Sequence, residues 1–112
     1  MIEVKKIAFQ GDVAFVRVRK GKRGAEMPRT EGRLIVAHSE TGHHHELVGE
    51  ARMFEACERD PLVCFLSIDG DHADVVHHRP FDTHETLRLL KGDWKVVRQR
   101  EYTPEGWRRV ED

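Results

Sequence analysis

Short runs rich in Val, Ile, Leu and Phe recur along the chain, set apart by glycine, proline and acidic residues. DVAFVRVR (Asp12–Arg19), RLIVAH (Arg33–His38), HHHELV (His43–Val48) and LVCFLSI (Leu62–Ile68) carry strand signals. ADVVHH (Ala73–His78), TLRLL (Thr86–Leu90) and WKVVRQREY (Trp94–Tyr102) do the same. Between them stand Gly11, Gly42, Gly49, Asp69-Gly70-Asp71, Pro80 and Gly92-Asp93, which read as turns. Strands at such short spacings predict an all-β barrel or sandwich of about eight strands. One segment competes. In Glu50–Arg59 (EARMFEACER) the apolar residues Ala51, Met53, Phe54, Ala56 and Cys57 fit a helical period about as well as a strand, so a short helix near 50–59 is the alternative. Arg19–Gly32 (RKGKRGAEMPRTEG) reads as a long basic hairpin loop. It suits a phosphate or an acidic partner, or simple solvation.

At 112 residues the chain is one domain's worth, so residues 1–112 are expected to close a single core. Hydrophobic residues make up 38% and charged residues 35%, a globular balance with a heavily charged surface. The net charge of −1 gives no global pull toward nucleic acid. No apolar run approaches the roughly 20 residues of a membrane span. The start, MIEVKKIAFQ, has no apolar signal-peptide core. A cytoplasmic location with reduced thiols is the expectation.

An Asp60-Pro61 turn would bring Cys57 opposite Cys64. Two small buried hydrophobes, a disulfide and metal ligation all fit that pairing.

The histidines carry the chemistry. There are eight, and three are consecutive in TGHHHEL, residues 41–47. On a strand, His43, His45 and Leu47 share one face, while His44 and Glu46 share the other. Two histidines at i and i+2 lie roughly 6.6 Å apart and can lean onto one ion. Leu47 predicts that their face points inward, where imidazole needs a hydrogen bond or a metal to offset desolvation. The second half supplies His77 and His78 at a strand end and His84 beyond a Pro-containing turn. Alternation turns one of His77 and His78 inward. The candidate metal ligands are therefore His43, His45, His78 and His84, with His77 and Glu50 as further candidates. Imidazole suits Zn, Fe, Ni or Cu, so the ligand type does not choose among these divalent transition metals.

HSETGHHHELVGE resembles the first motif of the cupin family, in which two histidines one residue apart and a later glutamate bind a metal inside a small β-barrel. His43, His45 and Glu50 stand at that spacing, whereas Ala37 and Cys57 replace the flanking glycines. Pro80-Phe81-Asp82-Thr83-His84 approximates the second motif without its glycine. The resemblance implies a jelly-roll-like fold. Most of the chain also resembles a group of small uncharacterised bacterial and phage β-proteins. The shared segments are Thr41-Gly42-His43-His44-His45, then His78 and His84, then Gln99-Arg100-Glu101-Tyr102-Thr103-Pro104-Glu105. That group implies a common β-fold and no reaction.

In the C-terminal segment, Trp94, Val96, Arg98, Arg100 and Tyr102 share a strand face. Arg98, Arg100, Arg108 and Arg109 suit an anion or the local acids Glu101, Glu105, Glu111 and Asp112. Trp107 is expected to pack back onto the fold or onto a partner subunit. No nucleophile elbow, phosphate loop or Cys-x-x-Cys pair is present. The sequence thus predicts a histidine-rich metal-binding β-domain of structural role, phage-associated or homo-oligomeric. The competing expectation is a cupin-like metalloenzyme, a small dioxygenase or isomerase acting on a small molecule, with Glu46 or Glu50 as acid–base group.

Overall fold

The computed structural model describes residues 1–19, 23–37, 44–57, 62–77, 85–98, 100–103 and 106–109. Ten strands follow in order: β1 (Ile2–Val4), β2 (Ile7–Gln10), β3 (Val13–Val18), β4 (Arg23–Glu26), β5 (Leu34–Ala37), β6 (His45–Ala56), β7 (Val63–His77), β8 (Leu87–Arg98), β9 (Arg100–Thr103) and β10 (Gly106–Arg109). The first eight form one sheet in the order β2-β3-β8-β7-β6-β4, with β1 also on β8 and β5 also on β6. Its pairings are antiparallel except β1 on β8. A separate antiparallel hairpin, β9 and β10, sets Trp107 opposite Tyr102. The all-β class follows the hydrophobic pattern, but the sheet is not closed into a barrel.

Three strands are longer than the pattern predicts. The segment 50–59, ambiguous between helix and strand, continues β6 as strand to Ala56, and no helix occurs among the described residues. Val63–Ile68 and Ala73–His77, read as separate runs, belong to one strand, β7, and Gly92-Asp93 lies inside β8. The glycines mark bends within strands. Gly49 and Gly92 hold φ of 139° and 136°, outside the usual range of L side chains. The register shifts between Gly49 and Ala51 on β6 and between Ile68 and His72 on β7. Such shifts bend a strand and sharpen its twist. Gly49, Gly70 and Gly92 therefore lie along a crease across β6, β7 and β8.

On one side of the crease, β5, β1 and the His45–Gly49, His72–His77 and Leu87–Leu90 stretches pair together. On the other, β4, β3 and β2 extend the Ala51–Ala56, Val63–Ile68 and Gly92–Arg98 stretches. Inward residues from both sides meet in one core: Leu34, Leu47, Val75, Leu87 and Leu89 from the first, Phe15, Met53, Leu66, Trp94 and Val96 from the second. Trp94 is fully buried, and its Nε1 donates to the Leu90 carbonyl at 2.9 Å. That bond spans Gly92 and ties the bend to the core.

The segment 19–32, expected to be an irregular loop, contains β4, which pairs Arg23 with Ala56 and Glu26 with Phe54. It ends in a tight turn. Thr30 and Arg33 exchange backbone bonds of 2.7 and 2.9 Å, with Glu31 and Gly32 between them at φ of 51° and 78°. The first hairpin turns on Gly11 at φ 60°, joining Gln10 to Val13.

Candidate functional site

His45 opens β6 and His77 closes β7, directly opposite each other in the ladder. Both are buried, at 1% and 3% exposure. Alternation explains the direction: Leu47 and Val75, two residues further in on each strand, are core residues. His77 turns inward, and His78 lies outside the described residues. The two rings stack, with centroids 4.1 Å apart and planes 4° from parallel.

Gln10 completes the cluster. It ends β2, on the far side of the crease, and is 1% exposed. Its Nε2 donates to the Val75 carbonyl at 3.0 Å and to the Glu85 carbonyl at 2.9 Å. Both amide hydrogens are thereby committed, and Oε1 is left facing His45 Nδ1 at 2.8 Å. An amide oxygen can only accept, so Nδ1 carries the proton. In the neutral ring Nε2 is then the nitrogen with the lone pair, which is the state of a metal ligand or a base. Sequence reasoning missed Gln10. Its one signal is register: Ala8 and Gln10 share the inward face of β2, opposite the exposed Ile7 and Phe9.

The other expected ligands divide. His43, His78 and His84 lie outside the described residues, as does His38. His78 adjoins His77 in sequence and His43 stands two residues before His45, so the chain leaves both buried histidines toward further histidines. Glu50 is not brought to the pair. It is exposed and sits at the crease, where a Cβ on Gly70 would meet its side chain at 3.2 Å. Glu46 is half-buried, with an Arg33 guanidinium nitrogen 3.1 Å away. Among the described residues no group of three or more His, Cys, Asp or Glu side chains converges on a point that could hold an ion.

The stack itself limits ligation. Imidazole lone pairs lie in the ring plane, and parallel planes about 4 Å apart direct them side by side. One ion cannot sit on a lone pair of each ring as the rings stand, because Zn–N bonds are about 2.0–2.1 Å.

The cysteines take no part. Cys64 faces Glu55 across the ladder rather than Cys57, and both thiols are free. Burial pushes the Cys64 thiol up to about 12, with Arg98 acting weakly the other way. Arg98 itself is half-buried at the end of β8, and the other arginines of the tail, with Trp107, have side chains outside the described residues.

Outside the cluster the charged groups pair locally. Arg52 holds Asp69 in a two-pronged bond of 2.9 and 3.1 Å, and Arg88 holds Asp74 with the same distances. These bonds keep the Asp69 and Asp74 carboxyls below their ordinary range.

Comparison with curated proteins gave no match, and neither did comparison with solved structures. The model of one family, a domain of unknown function designated DUF8820, matches residues 9–99, from the middle of β2 to the end of β8. The match takes in Gln10, His45 and His77, and the chain belongs to the DUF8820 family.

Proposed function

We propose that this domain binds one divalent transition metal ion (Zn, Fe, Ni or Cu), with His45 as the anchoring ligand and further ligands from His43, His78 and His84. The observation that carries the reading is the Gln10 bond to His45. By accepting from Nδ1–H it fixes the ring proton on Nδ1 and leaves Nε2 as the lone-pair nitrogen, the arrangement by which a carbonyl behind the ring prepares a histidine ligand. His77 is then a stacked wall beside the ligand, consistent with the parallel rings. We favour a structural over a catalytic role: of the two acid–base candidates of the cupin-like alternative, Glu50 lies at the crease, roughly 16 Å along β6 from His45, and Glu46 is engaged by Arg33 at 3.1 Å.

Metal analysis of untagged protein and titration with cobalt(II) test this. Near-equimolar metal, and a cobalt spectrum lost in His43→Ala and His84→Ala while the fold persists, support it. Absence of stoichiometric metal together with no cobalt binding by the intact protein overturns it. His45 would then be a hydrogen-bonded core residue.

A further inference from the structure

We propose that the groove over the end of β3 binds the phosphate of a small phosphate monoester. This inference is independent of the metal reading. The groove arises where β8 changes its edge partner. β1 pairs with Leu87–Leu89 and β3 with Asp93–Arg98, so among the described residues Leu90–Gly92 pair with neither. Here the chain crosses from β1 to β2 through Lys5-Lys6. β3 runs on to Val18, past Val16, the partner of Ile7 at the start of β2. The space over β3 and β8 beyond the start of β2 is about 620 Å³. That is the size of a small-molecule site and far exceeds a bare phosphate.

Lys6, Arg17 and Arg19 border this space. The Arg17 amide donates to the Lys6 carbonyl at 2.7 Å, so these two are cross-strand partners on one face of the sheet. Alternation continued one step past β3 adds Arg19 to that face. Directly paired residues stand about 5.5 Å apart and alternate residues about 6.6 Å, spacings that three long side chains can close onto one oxyanion. Arg17 is set in place. Its guanidinium donates to the Lys91 carbonyl at 2.7 Å and stands 5.8 Å from the centre of the buried Trp94 ring. A Cβ on Gly92 would come within 3.2 Å of that guanidinium, so the glycine leaves the room it occupies. The Lys91 carbonyl takes one part of the planar fork, and the remaining N–H groups can meet an oxyanion.

The cluster lacks acidic partners. Arg23, Arg33, Arg52 and Arg88 each lie within ion-pair reach of a carboxylate. Among the described residues, Lys6, Arg17 and Arg19 have no such partner. Asp93 also borders the groove, but it pairs with Val18, and alternation turns it to the face opposite Arg17. An Arg23 nitrogen stands 3.9 Å from it. A phosphate monoester carries about −1.5 to −2 charges at pH 7, which answers three uncompensated cations better than one carboxylate does. No aromatic side chain lines the groove among the described residues, so a nucleic-acid strand would lack a stacking platform.

The test is amide NMR of the isotopically labelled full chain, titrated with propyl phosphate. Saturable shifts are expected at Lys6, Arg17, Arg19 and Gly92, with a Kd of about 1 mM or tighter. Propionate and inorganic phosphate should bind more weakly. Lys6→Gln with Arg19→Gln should weaken propyl phosphate about tenfold or more. Both side chains are exposed, and circular dichroism checks that the fold is retained. Arg33→Gln removes a cation that is paired elsewhere and should leave the affinity unchanged. Shifts that fail to saturate by about 10 mM, or that fall elsewhere on the chain, overturn the proposal. Equal weakening by Arg33→Gln also overturns it, since net charge alone would then account for the binding. Propionate, inorganic phosphate or single-stranded oligouridine binding as tightly as propyl phosphate assigns the groove to a different ligand.

Discussion

Gln10 Oε1 accepts a hydrogen bond from His45 Nδ1 at 2.8 Å, joining the end of the first hairpin to the start of β6 across the folded sheet. The same amide reaches Val75 and Glu85. One side chain therefore fixes the ring that the metal reading depends on and holds the two sides of the crease together.

Removing it should be costly. Gln10→Ala strands two carbonyls and a ring N–H in the interior, and each buried unsatisfied group costs about 1–3 kcal/mol. We expect a loss of about 2–4 kcal/mol in urea unfolding, after allowing for entry of water. Gln10→Glu is isosteric but sets carboxylate oxygens against carbonyl oxygens. Burial there raises the acid's folded pKa, so its stability relative to wild type should fall as pH rises from about 4. A loss under about 0.5 kcal/mol for Gln10→Ala would show that the cluster does not hold the sheet together.

The crease glycines should differ among themselves. A Cβ on Gly49 would lie 3.0 Å from the Ala73 Cβ and 3.2 Å from the His72 carbonyl, on a backbone at φ 139°. Neither neighbour can swing away, so Gly49→Ala should cost about 2–4 kcal/mol. Gly92 has a similar φ, but a Cβ there meets the Arg17 guanidinium, which can move. Gly70→Ala would press only on the Glu50 side chain and should cost less than about 1 kcal/mol. Thermal denaturation of the three variants should give the order Gly49, Gly92, Gly70.

The same glycines show how far the sequence could be read. Hydrophobic runs located the central strands, because Phe15, Leu66, Val75 and Val96 supply core at period two. Punctuation was ambiguous. Glycine between two apolar runs signals a turn or an in-strand bulge equally well, and only the partner strand decides. β6 stays extended through 50–56 because β7 pairs along it, a non-local fact that helical periodicity cannot register. β1 and β2 were invisible for another reason: Ile2, Ile7 and Phe9 are exposed, so no buried face marks them. At the site, the inward turn of His45 was legible from Leu47. The Gln10 bond was not, because it joins residues 35 positions apart through a polar side chain that no periodicity singles out.

The turn at Glu31-Gly32 offers a stabilising substitution. Glu31 holds φ 51°, where a non-glycine side chain is strained and asparagine is better tolerated. Glu31→Asn or Glu31→Gly should raise stability by about 0.4–1 kcal/mol, read as a higher urea midpoint. A lower midpoint for both would mean that the Glu31 side chain contributes more than its backbone costs.

The cysteines should react unequally. Cys57 is exposed, whereas burial holds the Cys64 thiol protonated up to about 12. Iodoacetamide on the folded protein should modify Cys57 alone, and unfolding should expose Cys64. Peptide mapping that finds equal labelling before unfolding would contradict the half-buried, packed position of Cys64.

Asp74 and Arg88 are direct cross-strand partners, and both carboxylate oxygens accept from the guanidinium. The bond from Arg88 lowers the Asp74 pKa, with desolvation acting partly against it. The sign follows from linkage. A carboxyl whose folded pKa is depressed stabilises the fold above its unfolded pKa, near 4. That stabilisation is lost as pH falls through the folded value. Arg88 stays charged throughout and adds no pH dependence of its own. The stability difference between wild type and Asp74→Asn should therefore be present where Asp74 is ionised and shrink steadily below about pH 4. The pair is partly exposed, so added salt should reduce the difference at neutral pH. Urea midpoints of both proteins at several pH values give the measurement. A difference that stays level down to about pH 2 would assign Asp74 a packing role rather than an electrostatic one.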